Sequence, residues 1–196
     1  NTTGNYNTSV GSDSLKANVS GSHNTALGFE ALQLATASYN TAVGSGALEA
    51  NILSGANVAV GQDALTNHNL ASAANGFNVG IGTNAGAALT TGIQNTIVGG
   101  SSGAISTGTN NTAIGIFSSG GAVSTGNNNT GLGYATLYEV TSGSNNTAIG
   151  MDAGRAGSPS GSITTASNRI ILGNNSISHA YIKVDWTVTS DARDKT

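Results

Sequence analysis

Side chains able to act in catalysis or metal binding are sparse in this chain of 196 residues. The three histidines, His23, His68 and His179, are far apart in the sequence and show no spacing typical of metal ligands. Before the terminal segment 190–196, no Ser, Thr or Lys has a spacing that indicates a nucleophile and its base. We therefore expect no metal site, no cofactor and no enzymatic activity from the body of the chain.

Aromatic side chains offer a second kind of chemistry, because sugars are commonly bound by aromatic stacking beside amide groups. Tyr134 and Tyr138 share one late repeat, and Phe77 closes a long insertion. The alternative, which we favour from the sequence, is that Phe77 and Phe117 fill gaps in the core. The sequence alone therefore assigns no glycan-binding residue.

A repeated phrase must position these side chains. Asn-Thr-Ala-(Val/Ile/Leu)-Gly and its close variants occur nine times at intervals of 16–21 residues, beginning at Asn7, Asn24, Asn40, Asn57, Asn78, Asn95, Asn111, Asn129 and Asn146. A short, fixed period indicates one supersecondary unit that stacks on copies of itself. Each unit reads as two short strands and two turns, so we predict an all-β parallel β-solenoid with about 17 residues per lap.

Alternation within the phrase predicts which side chains face the core. The fourth position is always Val, Ile or Leu, which predicts that it points inward. Thr at the second position shares that face, and Val58 and Val79 replace it in two repeats. Asn at position one and the small residues at positions three and five are then expected on the opposite, outer face, where they pack against another subunit or merely suit tight turns. Asn at position one is expected to stack into a ladder.

The period changes in two insertions and at the end of the chain. The insertions, near 66–77 and 154–167, are expected to form surface loops. Residues 180–189 alternate apolar and polar side chains, as in a half-buried strand. We predict a solenoid shaft over 1–167, a collar of neck strands over 168–189, and a separate terminal segment over 190–196.

Charge excludes several partners. Only 8% of residues are charged, and no Lys or Arg occurs between Lys16 and Arg155. The shaft therefore lacks the basic stripe that binds nucleic acid and the basic patch that binds a membrane surface. No apolar run is long enough to span a bilayer. The chain starts in repeat phase without Met, so we expect it to be a fragment of a longer protein.

The terminal segment carries a family resemblance. Ser-Asp-Ala-Arg-Asp-Lys at 190–195 follows a strand containing Trp186 and an Ile-Leu-Gly-Asn at 171–174. This arrangement resembles the junction between phage tail spikes or fibres and their intramolecular chaperone domain. The resemblance implies that the chaperone drives trimerisation and then cuts the chain between Ser190 and Asp191. Ser190 would be the nucleophile, and Lys195 would be the general base if burial keeps it neutral.

The repeats are also similar to those of phage tail-fibre proteins and of the left-handed β-roll heads of trimeric autotransporter adhesins. This resemblance implies a homotrimer, a left-handed roll, and an extracellular, host-facing segment of a virion fibre. Its partners would be its own copies and a host glycan or protein receptor. The alternative is a head or stalk segment of a bacterial trimeric surface adhesin.

Two other solenoid classes fit the sequence less well. Acyltransferases built as left-handed β-helices need an apolar residue about every six positions, which is not the period here. Ice-binding solenoids present ranks of Thr to water. Here Thr is predicted to face inward, and no Thr-x-Thr rank recurs.

Overall fold

All nine phrases become strands of one parallel sheet, and a tenth strand follows them. The computed structural model describes residues 3–119 and 124–179. The strands are β1 (Thr8–Val10), β2 (Thr25–Leu27), β3 (Thr41–Val43), β4 (Ser54–Gly55), β5 (Val58–Val60), β6 (Ala74–Asn75), β7 (Val79–Ile81), β8 (Thr96–Val98), β9 (Thr112–Ile114), β10 (Thr130–Leu132), β11 (Thr147–Ile149) and β12 (Ile170–Leu172).

The sheet order shows that equivalent residues of successive repeats are stacked. The ten-stranded sheet runs β1-β2-β3-β5-β7-β8-β9-β10-β11-β12, and β4 pairs with β6 separately. Val10 is level with Leu27, and Leu27 is level with Val43. The predicted all-β parallel solenoid with a spacing of about 17 residues is therefore confirmed.

The prediction of which face points inward is wrong. In the ten-stranded sheet the middle residue of every strand after β1, mostly Ala, is buried, and Ala26, Ala42 and Ala59 are fully inaccessible. The larger residues on either side of it point outward, so that Leu27 is 47% exposed. The interior of a lap is narrow, and in most laps only a small side chain fits at this position. Because Thr also faces outward, one of the two arguments against ice binding is lost; the absence of a Thr-x-Thr rank remains.

The Asn ladder is confirmed, but it lies inside the solenoid rather than on the predicted outer face. In successive laps the side-chain Oδ1 of one Asn accepts a hydrogen bond from the next Asn backbone N–H, as between Asn78 and Asn95 at 2.9 Å. The Nδ2 group of Asn95 donates to the Gly108 carbonyl at 2.9 Å. Each buried amide thus satisfies backbone groups that the turn leaves unpaired, at positions where an unpaired group costs about 1–3 kcal/mol.

The corners of each lap use the left-handed region of backbone conformation. The residue before each ladder Asn has a positive φ, as in Tyr39 at 65°. A second such corner holds Leu15, Leu32, Leu48 and Leu65 in the early repeats. These corner leucines turn into the interior and fill the space that the small strand residues leave.

Later repeats fill the same space differently. Gly86 and Gly103 replace the corner leucine. Ile97, the only large residue at a middle strand position between β1 and β11, is fully buried there. A Cβ on Gly103 would lie 2.7 Å from Ile97 Cγ2, so the isoleucine occupies the space of the missing leucine. Leu89 and Ile105 complete this part of the core.

The two insertions are not simple loops. In the first, Ala74–Asn75 pairs with Ser54–Gly55, and His68 is fully buried. In the second, Ile163 packs in the core. The sheet also continues past the predicted shaft boundary at residue 167, because β12 pairs with β11. The predicted collar strand at 180–189 lies outside the described residues.

Candidate interaction surface

The outward side chains of the ten-stranded sheet form one continuous stripe, which we name the outer sheet face. It consists of the first and third residues of each strand: Thr8, Val10, Thr25, Leu27, Thr41, Val43, Val58, Val60, Val79, Ile81, Thr96, Val98, Thr112, Ile114, Thr130, Leu132, Thr147, Ile149, Ile170 and Leu172. With strands about 4.8 Å apart, the stripe is roughly 43 Å long. It contains no charged side chain.

The outer sheet face is mostly apolar: thirteen of its twenty side chains are Val, Ile or Leu, and the other seven are Thr. Val10 is 55% exposed and Leu132 is 44% exposed. The stripe widens where an apolar residue follows the strand-ending Gly, as at Phe29, Ile116 and Met151. Parallel sheets are normally covered on both faces, and contiguous apolar patches of more than a few hundred Å² mark interaction sites. The geometry therefore supports binding of another apolar surface along most of the shaft.

A column of stacked rings lies at the corner beside the sheet. Tyr6, His23 and Tyr39 each precede a ladder Asn in successive laps. The ring centroids of Tyr6 and His23 are 4.9 Å apart, and those of His23 and Tyr39 are 5.0 Å apart with planes at 4°. The stacking of these rings was not predicted from the sequence, although their shared position before the Asn is visible in the repeat.

Tyr134 and Tyr138, which share one late repeat, both contact the ring of Phe117. Phe117 makes edge-to-face contacts with Tyr134 and Tyr138 at centroid distances of 6.1 and 6.4 Å. Arg155 lies 4.9 Å over the Tyr138 ring, and a hydrogen bond to Asp152 raises the pKa of its guanidinium. Phe117 is 38% exposed. Phe117 therefore does not fill a gap in the core, contrary to the prediction from the sequence.

Phe77 is likewise on the surface rather than in the core. Its side chain is 55% exposed. The sequence-based preference for a gap-filling role is wrong for this residue as well as for Phe117.

His68 forms a buried polar cluster that the sequence did not indicate. Its Nε2 lies 2.9 Å from Ser54 Oγ and 3.1 Å from Asn78 Nδ2. Because the Asn78 amide donates, Nε2 is the acceptor and the proton belongs on Nδ1, which has no partner of full hydrogen-bond geometry among the described residues. Ser54 and His68 resemble a nucleophile and base, but both are fully buried. No substrate can reach them, so we assign the pair to the core.

Acidification is expected to destabilise the lap that contains His68. Burial lowers the pKa of His68 from 6.5 to about 4, although the Thr90 backbone opposes the shift. The folded state therefore binds the proton less well than the unfolded state does. The stability that depends on a neutral His68 is fully present above pH 6.5, is lost between pH 6.5 and 4, and does not change further below pH 4. At 1.36 kcal/mol per pKa unit, this loss is about 3 kcal/mol.

Thermal unfolding followed by circular dichroism at pH 7.5 and 4.5 measures this effect. His68→Gln is expected to reduce the difference between the two melting temperatures. The matched change His23→Gln, at an exposed ring, is expected to leave the difference as it is. If His68→Gln and the unsubstituted chain show the same pH dependence of the melting temperature, His68 is not the cause of that dependence.

The predicted self-cleavage residues, Ser190, Asp191 and Lys195, lie outside the described residues. Within residues 3–119 and 124–179, no group of three His, Cys, Asp or Glu side chains is arranged to hold a metal ion. The same ranges contain no helix with the length and apolarity of a membrane span.

Comparisons with known proteins add no relative. Neither protein-family models, nor curated proteins, nor solved structures contain a match to this chain. Functional inference therefore depends on the sequence and the geometry described above.

Proposed function

We propose that this chain is a structural, host-facing segment of a phage tail fibre or spike, extracellular as part of the virion. Three copies pack along their outer sheet faces into a stiff shaft that presents binding surfaces to a host receptor. The observation that carries the proposal is the uncharged, apolar face of a parallel sheet that continues over ten strands.

The size of this face supports association. Burying an apolar side chain completely contributes about 1.5–3 kcal/mol. The third residue of most strands is about half exposed, so covering ten of them contributes on the order of 10 kcal/mol per chain. This is comparable with the roughly 4–15 kcal/mol that association costs in lost freedom. Association therefore needs most of the length of the shaft.

That three chains associate is implied by the family resemblance and not by the outer sheet face. Three parallel copies would place three equivalent faces around one axis and cover them from water. Such a shaft also repeats each weak receptor contact three times, which raises avidity without a new contact. The chain would need no cofactor and no activity other than its own maturation.

Self-cleavage of the encoded precursor tests the fibre assignment. We expect a precursor that extends past Thr196 to be cut between Ser190 and Asp191. The resemblance implies that the Ser190 hydroxyl is the nucleophile and Lys195 its base; water then hydrolyses the ester that forms, and Asp191 leaves as a free amino terminus. Intact-mass spectrometry should find the shorter product from the unsubstituted precursor and only the uncut chain from Ser190→Ala. Thr189→Ala, which removes the neighbouring hydroxyl, serves as the control and should still be cut.

An uncut precursor in all three cases would contradict the fibre maturation route. An encoded continuation that forms a membrane anchor rather than a chaperone would then support the alternative, a segment of a bacterial trimeric surface adhesin. Both assignments share the trimeric shaft, so the cleavage result separates them without deciding the assembly.

A further inference from the structure

We infer that the shaft has a binding slot for one neutral sugar ring above Tyr39. The slot lies where the aromatic column has Ala56 instead of a ring, a position that we call the missing rung. The inference rests on the proposed attachment role and names its ligand class and site. It depends on three features: an open aromatic face, a cleft beside it, and the lack of charge around it.

The open face follows from the column. Tyr6, His23 and Tyr39 stack at 4.9 and 5.0 Å, so His23 covers one face of the Tyr39 ring. The next lap has Ala56 at the same position, with the same positive φ. Ala56 has no ring to cover the other face of Tyr39, and Tyr39 is 63% exposed. The following position holds Phe77, so one rung of the column lacks a ring.

A cleft lies beside this missing rung. It has a volume of about 320 Å³, near the lower end of the range for small-ligand sites, and its walls come from successive laps. Ser38 and Tyr39 belong to the first lap, Leu53 and Gly55 to the second, and Ala74 and Asn75 to the insertion. The pairing of Ala74–Asn75 with Ser54–Gly55 holds the insertion wall in place.

The lining matches a ring that is apolar on its faces and polar at its edge. The C–H groups of a sugar ring carry slight positive potential and complement the negative face of a Tyr ring. Asn75 and Tyr39 both line the cleft and are exposed, and each side chain carries groups that can donate and accept hydrogen bonds. Small residues such as Gly55 and Ala74 leave room between them.

Charge selects a neutral ligand. No Asp, Glu, Lys or Arg lines the cleft. The whole stretch between Lys16 and Arg155 contains no Lys or Arg that would bind a phosphate or an acidic sugar. A nucleotide could stack on Tyr39, but its phosphate would find no cation here. A neutral hexose, alone or within a chain, fits the site best.

Saturation-transfer NMR on the unsubstituted full chain tests the slot. The probes are the neutral methyl glycosides of glucose, galactose and mannose and their trisaccharides, with sialic acid and adenosine monophosphate as charged comparisons. We expect saturable binding of at least one neutral probe with a Kd in the millimolar range, a common strength for single-ring contacts. We expect no saturable binding of the charged probes.

Two variants locate the binding. Ala56→Phe places a ring in the missing rung and is expected to abolish binding while the fold persists. Gln94→Phe adds the same ring at the same column position beyond Phe77 and is expected to leave binding unchanged. Tyr39→Ala is expected to weaken binding at least about tenfold, which corresponds to loss of the stacking platform.

The inference is overturned if no neutral probe binds, or if Ala56→Phe binds the neutral probe as tightly as the unsubstituted chain does. It is also overturned if adenosine monophosphate binds instead of a sugar and Ala56→Phe abolishes that binding. Light scattering on the same samples separates this failure from failure of the proposed function. A trimer that binds no sugar contradicts the slot alone, whereas a monomer that binds sugar contradicts the assembly alone.

Discussion

Replacing Ile81 with Glu is expected to convert an associated chain into a monomer. Ile81 lies in the fifth strand of the ten-stranded sheet, and its side chain is 40% exposed on the outer sheet face. In a trimer the substitution would place three carboxylates in an apolar interface without partners, and an unpaired buried charge costs several kcal/mol each. The monomer itself should be little affected, since there the carboxylate would face water.

Light scattering measures this change directly. The expected mass falls from about 58 kDa, three times the 19.2 kDa of one chain, to 19.2 kDa. Thr91→Glu adds the same charge at an exposed residue away from the outer sheet face and is expected to leave the larger mass unchanged. If Ile81→Glu keeps the larger mass, the chains associate through another surface. Circular dichroism on both variants shows whether the β structure persists.

Replacing Gly44 with Ala is expected to cause a large loss of stability, although it adds only one methyl group. Gly44 ends a strand with φ at 137°, a conformation that residues with a Cβ rarely adopt. A Cβ there would lie 2.4 Å from the Gly61 carbonyl oxygen, which belongs to the backbone of the next lap and cannot turn away. Strain and clash together are expected to cost about 3 kcal/mol or more.

Thermal unfolding should reveal this loss as a melting temperature lower by about 6–12 °C, at roughly 2–4 °C per kcal/mol for a chain of this size. Gly157→Ala is the matched control, because a Cβ at Gly157 meets nothing within 4 Å. The control should stay within about 0.5 kcal/mol of the unsubstituted chain. Equal melting temperatures for the two variants would show that the close contact between laps is not required.

The repeat predicted the architecture because position in the phrase determines position in the lap. The nearly regular spacing of the phrases predicted that equivalent residues stack, and the register of Val10, Leu27 and Val43 shows that they do. The buried Asn ladder followed from the same regularity, since one amide per lap at a fixed position can bond to its copy above and below.

The orientation of the strands could not be predicted from hydrophobicity alone. The rule that large apolar residues point inward assumes a core wide enough to hold them. Here the corner residues Leu32 and Leu48 already fill the narrow interior, and only Ala42 fits opposite them. The larger strand residues must point outward, where their apolar character becomes a property of the surface.

The polar cluster and the aromatic column were missed for different reasons. Ser54 and His68 are 14 residues apart and meet only because the first insertion folds into the lap. No local pattern indicates such a contact. Tyr6, His23 and Tyr39, by contrast, share the position before the ladder Asn. A comparison of that single position across all repeats would have predicted their stacking.

The mass of the unsubstituted chain in solution, measured by light scattering over a dilution series, tests the assembly most directly. Covering the outer sheet face with two further copies predicts a mass of about 58 kDa, three times 19.2 kDa, that persists on dilution to micromolar concentration. A single species of 19.2 kDa at those concentrations would show that water, rather than another copy of the chain, covers this face.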